Sequence, residues 1–92
     1  MFNVSSVYYL YSNILEMKEI DLHGLTHEDA VLETENFLLK ESAKGSFECR
    51  VITGNSPKLQ IRIIKEVLDK YDFNWISVAY NPGVLIVSQT FL

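Results

Sequence analysis

Twice in this chain an apolar stretch runs through a glycine straight into the start of a helix: IDLHGLTHED at residues 20 to 29, and VITGNSPKL at residues 51 to 59. These junctions constrain the fold more than any other feature. A strand that passes at once into a helix must cross over before the next strand can pair, and such crossovers are right-handed and join parallel strands.

The first strand is expected over residues 18 to 23. Side chains alternate along a strand, so Ile20 and Leu22 share one face, and Asp21 and His23 share the other. Thr26, with Asp29 three places on, has the pattern in which a hydroxyl and an acid satisfy the free N–H groups of a helix start. The helix then begins near His27. Ala30, Val31, Thr34, Phe37 and Leu38 recur at helical spacing, and Lys44-Gly45 closes the segment. Its outer face carries Glu28, Glu33, Glu35 and Lys40, a solvated and mostly acidic surface.

FECRVITG, residues 47 to 54, alternates apolar and polar before ending at a glycine, which marks a second strand. Ser56 caps the second helix and Pro57 occupies its first turn, where the missing N–H costs nothing. Ile61, Ile64, Val67, Leu68 and Tyr71 form its expected buried stripe. Residues 74 to 80 and 84 to 90 read as strands joined by Asn81-Pro82-Gly83, a strong turn signal. The order β-α-β-α-β-β predicts an α/β two-layer sandwich: a four-stranded mixed sheet with two helices on one face and the other face partly open. Residues 1 to 16, with no charge before Glu16, stand apart as an N-terminal extension, and residues 17 to 92 form the domain.

Ninety-two residues suffice for one core, and a 48% hydrophobic fraction argues against disorder. Cys49 is the only cysteine and lies mid-strand, so it reads as core. No apolar run approaches the ~20 residues of a membrane span. The N-terminal stretch lacks the basic start of a signal peptide, so the expected compartment is the cytoplasm and no membrane partner is expected. The net charge of −4 is unevenly spread. Residues 16 to 48 hold nine acids against three bases, whereas residues 50 to 70 hold five bases against two acids. The basic half is either one of two differently charged helix faces or an anion-facing surface.

In parallel α/β units the carboxyl ends of the strands gather the functional groups. Asp21 and His23 are therefore expected beside the Thr53-Gly54-Asn55-Ser56 loop, if the two strands are neighbours. That loop offers hydroxyl and amide donors, a glycine for close approach and a helix start, with Lys58 and Arg62 in the following turns. Plainer roles exist for each piece. Asp21 could accept from the His23 ring in a structural pair, TGNSP could be only a cap, and His27 could simply face solvent. Asp21, His23 and His27 lack the spacing of a complete metal site, so no ligand cluster is visible and the cofactor is unknown, with a divalent metal still possible. No serine stands in a nucleophile elbow.

DLHGLTHEDA, the second strand ending in ITGNS, the helix with LQIRIIKEVL and the closing NPG segment together resemble the small MutS-related, or Smr, domain over roughly residues 17 to 90. The resemblance implies a sandwich similar to the C-terminal domain of bacterial translation initiation factor three. It also implies nucleic-acid handling, because Smr domains include endonucleases that nick DNA or cut messenger RNA on stalled ribosomes. Nucleic acid, and with it the ribosome, are the implied partners. In that family the DxH residues, matching Asp21 and His23 with Gly24 following, are implicated in cleavage, and the loop after the second strand is commonly His-Gly-x-Gly. Here Thr53 stands where that His would be, Gly54 matches, and Ser56 replaces the second Gly. A phosphodiester endonuclease is thus the expected function, with a non-catalytic nucleic-acid- or ribosome-binding module as the alternative.

Overall fold

The computed structural model describes residues 17–91. The extension assigned to residues 1 to 16 falls outside that range, Leu92 likewise. The elements are β1 (Lys18–Asp21), α1 (His27–Ala43), β2 (Phe47–Ile52), α2 (Pro57–Ile63, continued by a π-helical turn over Ile64–Leu68), β3 (Asn74–Val78) and β4 (Asn81–Gln89). They build the expected two-layer α/β fold with a four-stranded mixed sheet.

The sheet order is β1-β2-β4-β3. β1 and β2 are parallel, with Ile20 opposite Val51, as the first crossover requires. β4 is antiparallel to both β2 and β3. Cys49, Val51, Leu85 and Val87 project from the central strands onto the helices and are almost fully buried with Leu38, Ile63, Val67 and Leu68. Burying one such Leu or Val is worth roughly 1.5–3 kcal/mol, so this layer is the main source of stability.

α1 starts as its sequence predicts. Thr26 Oγ1 accepts from the Asp29 N–H at 3.1 Å, and Ala30, Thr34 and Leu38 are buried at four-residue spacing. The second helix departs from expectation. Ile61 is 53% exposed, and the buried positions are Leu59, Ile63, Val67 and Leu68. The wider π turn, in which the Asp69 N–H reaches the Ile64 carbonyl at 2.8 Å, alters the register so that adjacent Val67 and Leu68 both enter the core. Val67 and Leu68 both belong to the expected stripe; Ile61 is the position that departs from it.

The final hairpin also turns elsewhere. Ala79 and Tyr80 form the turn, while Asn81-Pro82-Gly83 opens β4. Pairing jumps from Ser77 with Leu85 to Val78 with Asn81, so Pro82, Gly83 and Val84 bulge away from β3. A proline that cannot donate to a ladder is tolerated at such a bulge. Gly83 is thereby brought against Gly54. No helix among the described residues is long and apolar enough to cross a membrane.

Candidate functional site

A cleft of about 340 Å³ opens where β1 and β2 end, lined by residues that include Asp21, His23, Gly24, His27, Thr53, Gly54 and Ser56. Two strand-to-helix junctions form its walls, and they are built differently.

At the first junction β1 stops at Asp21, earlier than the strand expected to residue 23. The Leu22 N–H still bonds the Ile52 carbonyl at 3.0 Å, and then the chain turns: the Leu25 N–H returns to the Leu22 carbonyl at 3.2 Å. Gly24 takes φ +81°, which a type II turn demands at its third position and which side chains resist. His23 thus stands at the corner of a turn and not on a strand face. Asp21 Oδ1 accepts from the backbone N–H of His23 at 3.0 Å. This is an Asx-type contact that fixes the turn, in place of the ring contact considered from the sequence. Asp21, His23 and His27 are all exposed.

The second junction is anchored. Thr53 is only 7% exposed. The N–H groups of Thr53 and Gly54 both donate to the Gly83 carbonyl, at 2.9 and 3.2 Å, and the Ser56 N–H donates to the Gly54 carbonyl at 2.8 Å. The Thr53 hydroxyl shares its proton between the carbonyls of Gly54 (2.8 Å) and Gly83 (3.2 Å), while accepting from Gln60 Nε2 at 2.9 Å. Gln60 also donates to the Pro82 carbonyl at 2.6 Å. A Cβ on Gly83 would lie 3.0 Å from the Gly54 carbonyl carbon, so any larger residue would make the Gly54 backbone give by a few tenths of an ångström. Ser56 caps α2 by accepting from the Leu59 N–H at 3.4 Å.

The structure thus brings Asp21, His23, Gly24, Thr53, Gly54 and Ser56 to one cleft, and leaves Asn55, Lys58 and Arg62 outside its lining. The loop has fewer free donors than its sequence suggests, because the Gly54 and Ser56 N–H groups already have partners. Arg62 is committed as well. Its guanidinium lies 2.9 Å from Glu28 and 2.7 Å from Glu66, and these contacts, Glu66 foremost, push its pKa further up while holding Glu66 below the usual carboxylate range. Of the acids on the expected solvated face of α1, Glu28 stays exposed while pairing with Arg62, and Glu35 alone is half-buried, held by Lys70 and Tyr71. Sequence reasoning missed Gln60, Pro82 and Gly83 as supports of the site; His27 faces solvent, as expected, and does so at the mouth of the cleft. Among the described residues, no three His, Cys, Asp or Glu side chains cluster as a metal site would require.

These features define a small α/β domain with an acid–imidazole turn facing a glycine loop at the ends of two parallel strands. The family model for the Smr domain matches residues 20–79, which contain both junctions. The chain belongs to the Smr domain family, whose members include nucleases and nucleic-acid-binding proteins. No curated protein and no solved structure matches the chain.

Proposed function

We propose that this domain cleaves phosphodiester bonds in RNA or DNA at the cleft between β1 and β2. The observation that carries this reading is the convergence of Asp21 and His23 with the Thr53-Gly54 loop in one open cleft, in a chain of a family with nuclease members. His23 is the proton-transfer group. It sits exposed at a turn corner, where its ring can reach a phosphodiester oxygen or the attacking hydroxyl. Asp21 holds the turn through the His23 N–H and leaves its second carboxylate oxygen free to orient the ring or a water. Gly24 and Gly54 let the backbone approach the phosphate closely, with Asn55 and Ser56 beside it. Lys58, exposed on the first turn of α2, adds positive charge at the rim. Arg62 contributes to binding only if a phosphate displaces Glu28 from it.

The test is incubation of the chain with single-stranded RNA, duplex DNA and supercoiled plasmid, each with chelator and with divalent metal. Cleavage by the wild type should fall by about 10²–10⁴ in the His23→Ala variant, the usual worth of a positioned acid or base. Undiminished cleavage by that variant would sink the mechanism.

A second reading, a nucleic-acid- or ribosome-binding module without chemistry, is favoured by one observation. The Thr53 hydroxyl stands where the resembling family has a histidine, and it is consumed by structural hydrogen bonds. It predicts salt-sensitive RNA binding with no cleavage under any metal condition.

A further inference from the structure

Breaking a phosphodiester bond moves two protons: the attacking oxygen loses one and the departing oxygen gains one. In an in-line displacement the two events fall at opposite ends of the phosphate, so one imidazole serves only one of them. The cleft between β1 and β2 holds a second imidazole. His27 lines it together with His23, and these two and Asp21 are the titratable groups of the lining. We propose that His27 is the second proton-transfer group of this cleft, a role that rests on the endonuclease reading given above.

Three observations carry it. First, the fold of the first junction brings both side chains to one mouth. Gly24, at φ +81°, reverses the chain between them, and the Leu25 N–H closes the turn on the Leu22 carbonyl at 3.2 Å. The Thr26 hydroxyl, accepting from the Asp29 N–H at 3.1 Å, then starts α1 at His27. The backbone beside each histidine is held, while both side chains stay exposed.

Second, both rings are uncommitted. Among the described residues neither ring makes a hydrogen bond or an ion pair, and Asp21 engages His23 only through its backbone N–H. The acid that follows His27 is occupied elsewhere, since Glu28 lies 2.9 Å from Arg62 of α2. Third, the facing wall offers no substitute. The Thr53 hydroxyl is spent on the Gly54 and Gly83 carbonyls and on Gln60, and Ser56 Oγ accepts from the Leu59 N–H. Neither alcohol is an acid or base that works near neutral pH. The second proton has to move on the β1 side.

The step balances without further reagents. One imidazole takes the proton of the attacking hydroxyl, from water or a ribose, as that oxygen bonds to phosphorus. The other enters protonated and gives its proton to the departing oxygen as the second P–O bond breaks. The pair ends with its protons exchanged, and transfer through solvent restores it.

The test is steady-state cleavage of a short single-stranded RNA and of a duplex DNA across pH, with chelator and with divalent metal. His27→Gln keeps a polar side chain but cannot carry the proton. It should lower kcat by about 10²-fold with KM little changed, and remove one limb of the bell-shaped pH profile. Its melting temperature should stay within a degree or two, because the position is exposed. A loss confined to KM, or a profile that keeps both limbs, would overturn the inference, since His27 would then only hold substrate. Full activity of His27→Gln beside an inactive His23→Ala would overturn it and leave the endonuclease reading standing. No cleavage by the wild type under any of these conditions would remove both.

Discussion

The two junctions that frame the cleft carry the same chain pattern, strand, glycine and helix cap, yet they differ in how they are held. The turn after β1 is exposed and held by the Asp21 contact to the His23 N–H and one backbone hydrogen bond. The loop after β2 is locked by two N–H bonds to Gly83, by the Thr53 hydroxyl and by Gln60. The first presents the Asp21 and His23 side chains on an exposed turn. The second gives up its hydroxyl and most of its donors to become a rigid wall. If the proposed function holds, chemistry and support are separated between the two junctions, and substitution can tell the two apart.

The largest effect is expected at His23. His23→Ala should cost the ~10²–10⁴ in cleavage argued above while the melting temperature stays within a degree or two, as for other exposed surface positions. A large drop in melting temperature would show that the first junction is structural after all. Gly83→Ala should do the reverse. Its Cβ would press on the Gly54 backbone, which can yield only by moving the loop, at a cost of about 1–3 kcal/mol. In a domain of this size that lowers the melting temperature by roughly 4–20 °C, read by calorimetry. A silent Gly83→Ala would mean that the second wall is not rigid. Gln60→Ala removes two hydrogen bonds from the same wall, and should cost about 1–2 kcal/mol, with the Thr53 hydroxyl left to find water.

Gln60 and Gly83 also mark where the sequence was legible and where it was not. Helix caps are local: Thr26 with Asp29, and Ser56 with Pro57, announce α1 and α2 from a few residues each, and the crossover rule then orders β1 beside β2. That was enough to bring Asp21, His23, Thr53 and Gly54 together. The role of Asn81-Pro82-Gly83 was hidden because turn chemistry and bulge chemistry use the same residues, and only the pairing of Val78 with Asn81 reveals that the turn lies at Ala79-Tyr80. Gln60 and Arg62 depend on partners 7 to 34 residues away, Thr53, Pro82 and Glu28, which no local pattern encodes. Ile61 was misplaced because the stripe was carried back from Val67 and Leu68 at the wrong phase: before the π turn the buried positions are Leu59 and Ile63.

The smallest effect lies far from the cleft, where α1 meets the end of α2, and it tests whether rigidity is confined to the second wall. The Tyr71 hydroxyl donates to Glu35 Oε2 at 2.7 Å and Lys70 Nζ lies 3.2 Å away. The Tyr71 hydrogen bond first, then Lys70, holds the Glu35 carboxyl below its ordinary value. A carboxylate favoured in this way stabilises the fold above its unfolded pKa, and that contribution disappears as pH falls through the depressed folded value. Tyr71→Phe should therefore raise the Glu35 titration midpoint, followed by NMR. It should destabilise the domain slightly at neutral pH, less than Gln60→Ala does, with wild type and variant converging in acid. The part of the Glu35 shift that comes from Lys70 should shrink in high salt, whereas the part lost in Tyr71→Phe should not. If the difference persisted in acid, the Tyr71 hydroxyl would be acting through packing and not through the charge it supports.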